Sequence, residues 1–269
     1  MASDSSTEPS ALAIRRVTHD KILLFGDSIT ELSSDILSLT FAITPALQQH
    51  YFRKLSIVAR GYGGYTTDHL RHVLVPTLRA ETAAKEKIKL LVLEIGTNDA
   101  ADSDMVFVPL ARYTENLRWM VDTARAEGVE RVIIVGPGPV DDAMLAPPID
   151  KSTTRNLEYS EAARAVAKKA GIPFICLWHA FLASKGWQEG QPVPGAHGVS
   201  GEGLKGLLTD GVHYTGDGYR IWYNQLLEAI RTNFPDLRTE ELPTILPHIF
   251  DVDRGNLPDT LWQEVEVKR

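Results

Sequence analysis

Five short, mostly apolar runs punctuate the chain, and stretches with helical spacing lie between them. Residues 21–25 form the first run, stopped by Gly26. Residues 55–59 form the second, ended by the turn Gly61-Tyr62-Gly63-Gly64. The run at 88–95 is the most apolar, with Leu90, Leu91, Val92 and Leu93 consecutive, as in a strand covered on both faces. Runs at 131–135 and 172–177 predict two further strands. The spacing predicts helices over 35–52, with Pro45 as a kink or a second start, over 66–79, 108–127 and 154–170, and a last amphipathic helix over 217–233. Strands alternating with helices of this length predict an α/β fold, a three-layer α/β/α sandwich around a central parallel sheet of about five strands with right-handed crossovers. Sites in such sheets form beyond the carboxyl ends of the strands.

Three segments stand outside this alternation. Residues 1–18 are polar and Ser-rich without an apolar stretch, and are expected to be a disordered leader rather than a signal peptide. Residues 186–206 carry Gly190, Gly195, Gly198, Gly201, Gly203 and Gly206 with Pro192 and Pro194, the composition of a loop that can move as a lid. Residues 234–269 are punctuated by proline and carry Ile245, Leu246, Ile249, Phe250 and Trp262. This extension is expected to cover the domain at 19–233 or to contact a second subunit in a homodimer.

Composition narrows the class. Hydrophobic residues make up 43% and charged residues 23% of 269, enough for a sizeable core without staples. The formal net charge of −7 argues against a nucleic-acid partner, which needs clustered basic residues. No run of ~18 apolar residues is present, so no stable membrane insertion is expected. The single cysteine, Cys176, excludes an intrachain disulfide and argues against a cysteine zinc site. A cytoplasmic location is the expectation.

Four loops carry candidate chemistry. Gly26-Asp27-Ser28-Ile29-Thr30 follows the first strand, where a serine either projects its hydroxyl from the sheet edge or merely caps a helix. Gly61-Tyr62-Gly63-Gly64-Tyr65 lets a backbone N–H approach a ligand, or is an ordinary turn. It lacks the glycine that a dinucleotide fingerprint needs at Thr66. Gly96-Thr97-Asn98-Asp99 follows the most apolar strand, and its Asn side chain either donates into the crevice or shapes the turn. In Asp210-Gly211-Val212-His213, a carboxylate three residues before a histidine can hold one ring nitrogen and free the other, or both can be solvated. Thr30 breaks the Gly-x-Ser-x-Gly pattern of a nucleophile elbow, which argues against the α/β-hydrolase fold. His69 and His72 read as a surface pair, and Cys176 as core filler.

Taken in order, Gly26-Asp27-Ser28, Gly64, Gly96-x-Asn98-Asp99 and Asp210-x-x-His213 resemble the four sequence blocks of the GDSL esterase/lipase family, also called SGNH hydrolases. The strings around Ser28, Gly64 and His213 look most like its isoamyl acetate-hydrolysing esterase subgroup, although that family's second block often has Ser where Gly63 stands. The resemblance implies a flavodoxin-like sheet with Ser28 as nucleophile, His213 as general base and acid, and Asp210 orienting His213. It further implies an oxyanion hole of the Ser28 N–H, the Gly64 N–H and the Asn98 side chain. Asp27 and Asp99 are expected to stabilise loops behind the site. No metal or cofactor is implied. The expected partner is a small-molecule ester with a small to medium acyl group. A lysophospholipase, thioesterase or acyltransferase using the same triad, and a non-catalytic anion-binding module, remain alternatives.

Overall fold

The computed structural model describes residues 17–146 and 150–262, so most of the predicted leader lies outside the described residues. Five parallel strands form one sheet: β1 (Lys21–Gly26), β2 (Ser56–Gly61), β3 (Ile88–Glu94), β4 (Val132–Gly136) and β5 (Phe174–Cys176), in the order β2-β1-β3-β4-β5. The residues of β1 and β3 alternate between two cores, as strand geometry requires. Ile22, Leu24, Leu90 and Val92 face one core, and Leu23, Phe25, Leu91 and Leu93 face the other.

Helices cover both faces. The short α1 (Ser28–Glu31) opens directly after β1 and is followed by α2 (Ile43–His50). Next along the chain are α3 (Thr67–Glu81), α4 (Leu110–Ala126), α5 (Thr153–Ala170), α6 (Leu177–Ser184), α7 (Gly216–Asn233) and the short α8 (Leu257–Thr260). Leu70, Leu117 and Ala163 carry α3, α4 and α5 into one core, while Leu47, Phe181 and Trp222 carry α2, α6 and α7 into the other. The three-layer sandwich expected from the pattern is therefore present. Strand order reverses between β1 and β3, so their carboxyl ends flank the crevice where sheets of this order take ligands.

Two helices differ from expectation. The helix predicted from residue 35 begins only at Ile43, because the Asp35 side chain accepts bonds from the Leu37 and Ser38 N–H groups and holds a turn. The apolar run at 172–177 does not end as a strand: the chain enters α6 at Leu177 without a break, burying Trp178, Phe181 and Leu182.

The Gly-rich segment is hydrogen-bonded to the connection after β4 at Gly195, His197 and Leu204. Asp141 Oδ2 accepts from Leu204 N at 2.7 Å, and Asp142 Oδ2 accepts from His197 N at 3.0 Å. Asp142 N donates to Gly195 O at 2.7 Å. A Cβ at Gly203, where φ is +52°, would sit 2.3 Å from Asp141 Oδ2, so that glycine permits tight wrapping around a buried carboxylate. In the C-terminal extension, Leu237 is buried, and the Arg53 guanidinium donates to the carbonyls of Ile245, Leu246 and Pro247. Lys54 donates to Leu242 O. Among the described residues, no helix is long and apolar enough to cross a membrane.

At Gly26, an added Cβ would lie 1.9 Å from the Glu94 carbonyl oxygen and 2.5 Å from Thr30 Oγ1. The first of these neighbours is backbone and cannot step aside. Gly26→Ala is therefore expected to destabilise the fold by about 2–3 kcal/mol, as overpacking does. A denaturant midpoint equal to that of the wild type would contradict this packing.

Candidate active site

The site is built where β1 and β3 end. Ser28 is the first residue of α1, and the side chain of Asp27 caps that helix by accepting from Ile29 N at 2.9 Å. The last segment of the domain brings the partner. Asp210 Oδ1 accepts from His213 N at 2.8 Å and from Val212 N at 3.0 Å, closing residues 210–213 into a turn. Thr209 N reinforces it by donating to His213 O. Within that turn His213 Nδ1 lies 2.7 Å from Asp210 Oδ2, and His213 Nε2 lies 2.9 Å from Ser28 Oγ. The three residues picked from the sequence thus form one hydrogen-bonded chain. The Asp210 and His213 side chains are 55% and 30% exposed, so the chain opens to solvent.

Burial pushes the Asp210 carboxyl up, but bonds from the His213 N–H, the His213 ring and the Val212 N–H outweigh it and hold the carboxyl below its usual range. The acid is an anion facing the ring nitrogen that it would steady. This arrangement can fix one tautomer of the imidazole and leave Nε2 as acceptor for a hydroxyl proton.

The second and third loops close around the first. Tyr62 N donates to Gly26 O at 3.0 Å, and a Cβ at Gly61 would collide with the Thr30–Glu31 backbone. Gly63 N donates to the Glu31 carboxylate, and a Cβ there would lie 3.8 Å from Ser28 Cβ. Gly64 follows at φ +78°. Asn98 Nδ2 donates to Tyr65 O at 3.0 Å, tying the third loop to the residue after Gly64. Asp99 accepts from Thr67 N and Thr67 Oγ1 at the start of α3, which gives it the loop-stabilising position expected of it.

Several residues at the site carry no signature in the sequence. Asp141, buried at 2% exposure, donates its N–H to Gly211 O at 2.8 Å and so holds the 210–213 turn as well as the Gly-rich segment. Lys151 Nζ donates to Thr97 O at 3.3 Å and to Asn98 Oδ1 at 3.4 Å. Glu94 is fully buried at the end of β3, with Oε2 accepting from Thr30 Oγ1. An acid within the apolar run at 88–95 is the one signal that could have marked it. Asp27 Oδ2 and Glu94 Oε1 find no hydrogen-bond partner among the described residues.

Away from this site, ligand atoms of Glu161, Cys176 and His179 lie within 4.8 Å of one another, a donor set that suits a metal ion. Each donor is already engaged: Glu161 with Arg164, and Cys176 Sγ with His179 Nδ1 at 3.0 Å.

Desolvation dominates the acids behind Ser28. Burial raises Asp27 to about 6 against bonds from Ile29 N–H and the charges of Lys151 and His213, and raises Asp99 to about 7 against its bonds from Thr67. Burial and the neighbouring Asp27 carboxyl keep Glu94 protonated well above the usual range. A carboxyl whose folded pKa exceeds its unfolded value binds more protons in the folded state. Its stabilising share is complete below the unfolded value near 4 and is lost as pH rises through the folded value. Asp27→Asn, which keeps the cap, should therefore gain stability relative to the wild type as pH rises from about 4 to about 7. Chemical denaturation across that range checks this, and a pH-independent difference between the two proteins would refute it.

The sequence profile of the GDSL-like lipase/acylhydrolase family matches residues 24–221. The chain is 31% identical to an isoamyl acetate-hydrolyzing esterase of Saccharomyces cerevisiae over 237 residues, which is 83% of this chain and 91% of that one. It is 28% identical to a GDSL esterase/lipase of Arabidopsis thaliana, with 91% and 98% covered. Among solved structures, a lipase/acylhydrolase from Enterococcus faecalis superposes with a TM-score of 0.56 at 24% identity, covering 84% of this chain and 98% of that one. An acetylxylan esterase from Geobacillus stearothermophilus superposes with a TM-score of 0.58 at 20% identity, covering 80% and 96%, and shares the fold. The chain belongs to the GDSL-like lipase/acylhydrolase family and is an ester hydrolase of that family.

Proposed function

We propose that the protein is a serine esterase that cleaves carboxylic esters of small to medium acyl groups, acetate esters among them, through an acyl-enzyme on Ser28. The observation that carries this reading is the unbroken chain from Ser28 Oγ through His213 to Asp210. A serine hydroxyl is a weak nucleophile at neutral pH and needs an adjacent base, and His213 Nε2 is within bonding reach. The preference for small acyl groups follows the yeast relative named for isoamyl acetate hydrolysis.

In the first half-reaction Ser28 Oγ attacks the ester carbonyl carbon as its proton passes to His213 Nε2. The carbonyl oxygen becomes an oxyanion, received by the N–H groups of Ser28 and Gly64 and by Asn98 Nδ2. Collapse of the tetrahedral species breaks the ester C–O bond, and His213 hands its proton to the leaving alcohol. Water then attacks the acyl-enzyme with His213 again as base, releasing the acid and regenerating Ser28. Asp210 stabilises the imidazolium in both halves and keeps its own charge. Asp27 and Asp99 take no proton-transfer role, since a carboxylate facing the oxyanion would oppose the reaction.

With 4-nitrophenyl acetate as substrate, Ser28→Ala and His213→Ala are each expected to lower kcat/KM by at least about 10³-fold, since either change breaks the relay. Asn98→Ala should lower kcat by about 10²–10³-fold with little change in KM, the loss of one oxyanion donor. A fluorophosphonate probe should label Ser28 in active protein, and turnover surviving in Ser28→Ala would sink the mechanism. A series of esters with lengthening acyl chains should show turnover falling beyond medium length.

A further inference from the structure

We propose that Lys151 is a positioning residue of the oxyanion hole, locking the Asn98 amide in its donating orientation and strengthening it as a donor. The inference rests on the esterase reading above and names a residue on which the four family blocks are silent.

An asparagine amide has nearly the same shape either way round, so its orientation is set by what faces its two ends. At Asn98 both ends are specified. Nδ2 donates to Tyr65 O at 3.0 Å, and Oδ1 accepts from Lys151 Nζ at 3.4 Å. A flipped amide would press Oδ1 against the Tyr65 carbonyl and its NH2 group against an ammonium. That would place acceptor against acceptor and donor against donor, in a residue only 8% exposed where water cannot readily intervene. With the orientation fixed, one Nδ2 proton serves Tyr65 and the other remains for the oxyanion.

Lys151 is built to hold this place. Ser152 beside it caps α5, with its side chain accepting from Arg155 N, so the Lys151 backbone is anchored at a helix start. Its side chain reaches from the β4–α5 connection to the loop after β3, where its acceptors, Thr97 O and Asn98 Oδ1, are both uncharged. Burial draws its pKa below the ordinary lysine value, while the Asp150, Asp27 and Asp99 carboxyls favour the charged form. A cation donating to Oδ1 polarises the amide and makes the Nδ2 protons stronger donors, because linked hydrogen bonds reinforce one another.

The test measures kcat and KM for 4-nitrophenyl acetate in wild type, Lys151→Met, Lys151→Gln, Asn98→Ala and the Lys151→Met/Asn98→Ala double variant. Lys151→Met should lower kcat about ten-fold, less than loss of a direct oxyanion donor, with KM within about two-fold. Lys151→Gln keeps a donor for Oδ1 without the charge and should fall between Lys151→Met and wild type. In the Asn98→Ala background the Lys151→Met change should cost less than about two-fold, since its effect runs through a side chain no longer there. An equal loss in both backgrounds, or kcat within about two-fold of wild type in both single Lys151 variants, overturns the proposal. Should Lys151→Met fail to fold, Lys151→Gln takes its place in the same cycle. If the wild type shows no Ser28-dependent turnover, the esterase reading fails, and the ¹⁵N side-chain resonances of Asn98 still decide the positioning role. A shift on replacing Lys151 supports that role, and unchanged resonances reject it.

Discussion

Backbone lies directly on backbone at the carboxyl ends of β1, β2 and β3, with no side chain between. Gly26 meets the Glu94 carbonyl and Gly61 meets the Thr30–Glu31 backbone, each closer than any Cβ would allow. This crowding lets three loops from three strands share one small volume: Ser28 from the first, Gly63 and Gly64 from the second, Asn98 from the third. The Tyr62–Gly26, Asn98–Tyr65 and Asp99–Thr67 hydrogen bonds then fix the loops to one another. Only the Asp210–His213 turn comes from elsewhere. It is held by Asp141 through Gly211, and α7 behind it is tied to α1 by the Tyr219 hydroxyl donating to Ile29 O at 2.7 Å.

The polar layer under Ser28 carries a stability penalty. Asp27, Glu94 and Asp99 are all essentially fully buried, and two of their oxygens lack partners among the described residues. Burying carboxyl groups opposes folding unless they are bonded or protonated, and here burial raises all three, while bonds from Ile29 N–H and Thr67 offset part of the rise for Asp27 and Asp99. The apolar sheet on either side, with Leu90 to Leu93 fully buried, supplies the stability that tolerates it.

How much of this the sequence disclosed depended on the range of the interactions. Runs of buried strand residues announced β1, β3 and β4, because a parallel sheet covered on both faces leaves a continuous apolar signal. Ser28, Gly64, Asn98, Asp210 and His213 were legible because their blocks resemble those of a known family and occur in the same order. α6 was not legible, since it follows β5 with no polar or glycine break. The fastening of residues 186–206 was not either. Its glycines read as flexibility, whereas two of them, Gly195 and Gly203, pack against Asp141, some fifty to sixty residues earlier in the chain. Lys151 was equally silent, because its partners Thr97 and Asn98 lie more than fifty residues earlier and leave no local pattern.

The bond between His213 and Ser28 joins positions separated by 185 residues. Contacts of such span form late in folding, because a long loop must close before they add stability. All five strands can be assembled before His213 has been made, since β5 ends at Cys176. During synthesis the emerging polypeptide would therefore complete its sheet before Ser28 can meet His213, and that contact would form only as α7 docks.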